Sequence, residues 1–128
     1  MKFIEEIVVD EFLPTIRSML AEELRDRGLT QNEVATALGI SQSAVSKYAH
    51  GDVERNDLFT EDDRVRELVD RIAEGLATGD VTPIQALVEI EVLIRRLEDG
   101  DVLATLHQEA MPDLADYGGD FNVHDPDS

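Results

Sequence analysis

Thr30-Gln31-Asn32-Glu33-Val34-Ala35-Thr36-Ala37-Leu38-Gly39-Ile40-Ser41-Gln42-Ser43-Ala44-Val45-Ser46-Lys47-Tyr48-Ala49-His50-Gly51 reads as two short helices joined at a glycine. Thr30 is placed to N-cap the first helix, and Glu33, three residues on, can reach back to complete a capping box. Val34, Ala35 and Leu38 give that helix one apolar face. Gly39 follows the last apolar residue, where a left-handed turn favours a residue without Cβ. Ser41 can then N-cap a second helix with Ala44, Val45 and Tyr48 on its inner face, and Gly51 ends it. Small Ala35 lets the two helices approach closely, while Ile40 and Val45 fill the angle between them.

This is the sequence logic of a helix-turn-helix, whose second helix enters the DNA major groove. The run LTQNEVATALGISQSAVSKYAHG resembles the Cro/CI-type (XRE family) helix-turn-helix of phage repressors and prokaryotic regulators. Leading Gln31, small Ala35, turn Gly39 and polar Gln42-Ser43 before apolar Val45 carry the resemblance. It is strong over residues 29–51 and looser over residues 12–78, where EFLPTIRSMLAEELRDRGLTQNEVATALGISQSAVSKYAHG resembles small archaeal members.

The resemblance implies an all-α fold, with a lambda-repressor-like helix-turn-helix domain at residues 1–58 followed by a helical extension at residues 59–111. It also implies a transcriptional regulator that binds double-stranded DNA. Gln42 and Ser43 open the recognition helix; Gln can pair bidentately with adenine N6 and N7, and Ser can donate or accept at either edge. Ser46 and Lys47 lie one turn further on, with Lys47 in reach of guanine or a phosphate. Gln31 and Thr30, at the start of the preceding helix, are placed for phosphate, helped by that helix's dipole. His50, Arg27 and Arg55 complete the expected backbone contacts, although Asp52, Glu54 and Asp57 crowd Arg55. The competing class is an antitoxin-like or coactivator-like adaptor that uses the same helices for protein contacts alone. A gel shift with the upstream region of its own gene, at high potassium, separates the two.

A net charge of -18 stands against DNA binding at first sight, because phosphate contacts normally come from Lys and Arg. Its distribution answers the objection. Residues 1–51 carry five basic and eight acidic residues, residues 52–128 six and twenty-one. Between residues 27 and 51 the only acid is Glu33, against Arg27 and Lys47. With nine Arg and two Lys, the composition resembles that of proteins from salt-loving archaea, where a Debye length of ~3 Å screens self-repulsion. Unfolding in dilute buffer and refolding in molar potassium chloride is the matching expectation.

Other classes fall away. There are no cysteines, so disulfides, cysteine-ligated zinc and thiolate nucleophiles are excluded. The resemblance implies cysteines in the counterpart of residues 86–114 in several archaeal members, and this chain departs from that pattern. Here His107 beside Glu109 is all that remains, and that is not a metal site. No P-loop, Gly-rich dinucleotide turn or clustered His and carboxylate set suggests an enzyme, a catalytic residue or a cofactor. No apolar run approaches the ~20 residues that span a bilayer, and the acidic start is unlike a signal peptide, so a cytoplasmic protein is expected. Whether a small-molecule effector binds is not legible.

Around the central stretch the periodicity predicts further helices. Residues 2–13 form an amphipathic one with Phe3, Ile7, Val8 and Phe12 or Leu13 as its stripe, and Pro14 kinks or restarts the chain. Ile16, Met19, Leu20 and Leu24 follow, closed by Gly28, with Leu29 turned into the core. GDVERNDL, at residues 51–58, reads as a polar connector. Thr60 then caps a helix carrying Val65, Leu68, Val69, Ile72, Ala73 and Leu76, ended by Gly79. Thr82-Pro83 opens another, with Leu87, Ile90, Ile94 and Leu97 as its main stripe, Ala86 and Leu93 beside it, and Ile84, Val88 and Val92 as a second row. A short helix is expected within residues 101–111, then an acidic mobile tail at residues 112–128. So much apolar surface beyond residue 60 predicts a homodimer through residues 60–111, matching two half-sites ~34 Å apart.

Overall fold

The computed structural model describes residues 3–51 and 53–99, so the expected helix within residues 101–111 and the acidic tail lie outside the described residues. Every regular element among the described residues is helical, as expected for an all-α fold. In chain order they are α1 (Ile4–Ile7), a π-helical turn (Val8–Phe12), α2 (Leu13–Asp26), α3 (Gln31–Leu38), α4 (Gln42–Ala49), α5 (Asp57–Thr60), α6 (Asp63–Thr78) and α7 (Pro83–Glu98). α2 lies at the centre, touching α3, α4, α5 and α6, and α7 packs on α6.

The chain does not restart at Pro14. α1, the π turn and α2 follow one another without a break. Pro14 has no N–H to donate, and its ring would press on the carbonyl four residues back. The π turn widens the backbone just there, Leu13 N–H donating to the Val8 carbonyl, so the helix runs on past the proline. Ile7, Val8 and Phe12 are buried as the stripe predicts, whereas Phe3 is left largely in solvent. Ile16, Leu20, Ala21 and Leu24 then continue the buried face of α2, with Met19 and Leu29 packed at its margin.

The polar connector conceals an element that the periodicity misses. Asn56 caps α5, its Oδ1 accepting from Leu58 N–H at 2.9 Å. This single turn drives Phe59 into the core, where its ring meets Phe12 edge to face at 5.1 Å between centroids and 84° between planes. Because α5 takes Thr60, the cap of α6 falls to Asp62 instead. Its carboxylate accepts from Arg64 N–H at 2.8 Å and from Val65 N–H, and it pairs with the Arg64 guanidinium at 3.0 Å. Those bonds, the Arg64 side chain first, hold the Asp62 carboxyl below the usual carboxylate range.

On α6, Val65, Leu68, Val69, Ile72 and Ala73 are all buried, and Gly79 ends the helix with φ +87°. Gly75, in the last turns of α6, is also buried. A Cβ there would lie 2.7 Å from Val81 Cβ, and Val81 N–H donates to the Gly75 carbonyl at 3.0 Å. The α6–α7 loop thus folds directly onto bare backbone.

α7 begins as predicted, with Thr82 and Gln85 forming a reciprocal capping box around Pro83. Its inward face differs from the expected one. Ala86, Leu93 and Leu97 are the buried residues, Ile90 and Ile94 are half-buried, and Leu87 is 57% exposed. The second row stays in solvent, with Ile84 74%, Val88 55% and Val92 38% exposed. One continuous cluster of buried side chains runs from Ile7 to Leu97, so α6 and α7 complete the core around α2 rather than standing apart from it.

Candidate nucleic-acid interface

α3 and α4 are built from the capping residues read in the sequence. Thr30 Oγ1 accepts from Glu33 N–H at 3.1 Å, and Glu33 returns a carboxylate oxygen to Thr30 N–H at 2.8 Å. The one acid in this region is therefore tied to the helix start. Gly39 sits in the left-handed region at φ +67°, and Ser41 Oγ accepts from Ala44 N–H at 3.1 Å to open α4. Val34, Ala35 and Val45 are buried between the helices, with Leu38, Ile40 and Tyr48 packed against them.

At about 100° per residue, Ser43 and Lys47 lie opposite buried Val45, with Ser46 and Gln42 to one side of them, so that the four span an arc of about 140°. Gln42, Ser43 and Lys47 are exposed, and Ser46 is half-buried, its hydroxyl 3.3 Å from His50 Nδ1. The predicted base-reading set thus shares one face. Gln31 is half-buried at the first position of α3, and His50 is exposed at the end of α4. Thr30 keeps its hydroxyl hydrogen free to donate beyond the cap.

Two expected backbone contacts have other partners. All three guanidinium nitrogens of Arg27 are occupied: Nη1 with Glu23 at 2.6 Å, Nη2 with Asp70 at 2.9 Å and Nε with Glu74 at 3.1 Å. These carboxylates, Glu23 first, raise the Arg27 pKa above its ordinary value. Arg27 thereby clamps α2 to α6. Arg55 donates from Nε to Ser18 Oγ at 2.9 Å, and from Nη2 to the Ser18 carbonyl and to Glu22. The local positive charge read from the sequence is therefore largely answered inside the fold, leaving Lys47 as the exposed cation of α4.

Sequence reasoning also overlooked the residues that hold α4 in place. Ser18 is fully buried, accepts from Arg55 and donates to the Tyr48 carbonyl at 3.0 Å, fastening the carboxyl end of α4 to α2. At the other end, Gln42 Nε2 donates to Asn32 Oδ1 at 2.8 Å, fixing the glutamine from α3. A serine on the core side of a helix is the only available hint of the first. The second has none, since Asn32 reads as one more polar residue in a first turn. Among the described residues no group of three or more His, Asp or Glu is arranged to hold a metal ion, and no helix is long and apolar enough to cross a membrane.

Residues 20–56 match a protein-family model described as helix-turn-helix. The match covers the second half of α2, all of α3 and α4, and the connector as far as Asn56. No curated protein and no solved structure matches the chain. The segment is a helix-turn-helix of the kind found in DNA-binding regulators.

Proposed function

We propose that the chain is a sequence-specific transcriptional regulator that inserts α4 into the major groove and works as a homodimer. The observation that carries this reading is the outward face of α4. Gln42, Ser43 and Lys47 stand in solvent on a helix whose position is fixed at both ends, by Asn32–Gln42 and by Ser18–Tyr48. Protein docking alone gives no reason for base-pairing side chains to be oriented in this way. Gln42, Ser43, Ser46 and Lys47 face the bases; Gln31, Thr30 and His50 flank them towards the phosphates. Arg27 and Arg55 are assigned to the fold. A dimer through the region beyond residue 60 doubles a set of contacts that is sparse in one protomer.

Gln42→Ala should relax preference at one base pair and cost about 1–3 kcal/mol there. Selection from a random duplex library, run beside the unchanged protein, reads this directly. An unaltered motif removes Gln42 from the reading set. Lys47→Ala should lower affinity for every sequence about equally if the ammonium meets phosphate, and selectively if it meets guanine. Failure of the intact protein to shift its own upstream region, at any potassium concentration that keeps it folded, favours the adaptor reading instead.

A further inference from the structure

We infer that the crevice between α2, α3 and α7 is a binding site for a short aliphatic carboxylate, held by the Arg17 guanidinium. Among the described residues three arginines are half-buried, Arg17, Arg27 and Arg55. The fold answers two of them. Arg27 pairs with Glu23, Asp70 and Glu74, and Arg55 bonds to Ser18 and Glu22. Arg17 has neither a hydrogen bond nor an ion pair among the described residues. In a chain with 29 acidic residues, a cation withdrawn this far from water is ordinarily paired.

The surroundings identify the missing counterpart. Arg17 lines a crevice of about 90 Å³ formed by Ile16 of α2, Leu38 of α3, and Pro83, Leu87 and Ile90 of α7, among others. Every other side chain in the lining is apolar, so no carboxylate of the fold reaches the guanidinium there. A ligand must therefore bring one negative charge and an apolar body. The guanidinium is a planar fork of donors that matches one carboxylate. A phosphate dianion would leave surplus negative charge inside a chain of net charge -18. Pro83 opens α7, so that helix brings the positive end of its dipole to the crevice. The volume sets the size of the body. Benzene fills an apolar cavity of about 150 Å³, or about 25 Å³ per carbon, so this crevice takes a tail of about three or four carbons. Isovalerate has that composition. Leu38 is the last residue of α3, beside the turn at Gly39, so an occupant touches the helix-turn-helix and α7 together. A role as effector of DNA binding rests on the function proposed above, whereas the binding itself does not.

The test is a titration of the full chain with potassium isovalerate at high salt, against equal additions of potassium chloride. Methyl resonances of Ile16, Leu38, Leu87 and Ile90 should shift saturably. Acetate, which lacks the tail, and isovaleramide, which lacks the charge, should each bind about tenfold more weakly or worse. Arg17→Gln should cost about tenfold or more in affinity. Its thermal midpoint should be unchanged or raised, because an unpaired, half-buried charge is removed. Ala37→Leu, which fills the crevice and leaves Arg17 in place, should abolish binding. Absence of a saturable shift overturns the proposal. So does an affinity that Arg17→Gln leaves intact, because the arginine is then only an aliphatic cover over a closed seam. Equal binding of isovaleramide also overturns it, since the tail alone is then recognised. None of these measurements involves DNA, so their failure leaves the reading of α4 standing.

Discussion

Phe59→Ala is expected to destabilise the protein by about 3–5 kcal/mol, the range for truncating a buried aromatic ring. Phe59 is fully buried, packs edge to face on Phe12 and is the one core side chain of α5. Removing it leaves a void between α2 and α6, and those rigid helices can close it only in part. α5 has a single turn of its own, too short to persist without its anchor. Asn56 would then lose its register, and with it the Asn56 N–H bond to buried Thr15 Oγ1 at 2.9 Å. Denaturant unfolding should show a lower midpoint with little change in slope. A loss under about 1 kcal/mol would mean that α5 is not a structural wedge.

Ser18→Val is the second large effect, at about 3 kcal/mol, and it bears on function. The substitution leaves the Tyr48 carbonyl and Arg55 Nε without their shared hydroxyl, and adds a methyl group where the packing is closed. The distinctive consequence is at α4, whose carboxyl end loses its tie to α2. DNA affinity should fall about tenfold even in conditions where the variant remains fully folded. Ser18→Thr, which keeps the hydroxyl and adds a similar methyl group, should recover most of the affinity while retaining the packing cost. If Ser18→Val and Ser18→Thr bind alike, the hydroxyl does not orient the recognition helix.

The helix-turn-helix was legible because its signals are local. Thr30 with Glu33, Gly39 and Ser41 act within four residues of themselves, and each occupies the cap or turn read for it. The six-residue stripe of α6 was legible because its period is unbroken. α5 was not, since one aromatic residue at the edge of an acidic run has no period to reveal it. The inward face of α7 was misjudged for another reason. That helix is apolar on most sides, so its own sequence permits more than one rotation. The choice is made by its neighbours, which accept Ala86 and leave Leu87 outside. Arg27 and Arg55 illustrate the same limit. Their charge could be counted from the sequence, but Asp70, Glu74 and Ser18 meet them only after the chain has folded.

The internal engagement of those two arginines also sets the character of DNA recognition. Proteins that grip the duplex with many cations gain affinity by releasing condensed counterions, and lose it steeply as salt rises. Here α4 offers a single exposed cation, Lys47, and its other outward groups are neutral amides and hydroxyls. Little of the binding free energy can then come from ion release, and the dependence of log K on log salt should be shallow. On the proposed function, such a protein would trade tight nonspecific adhesion for contacts that salt weakens little.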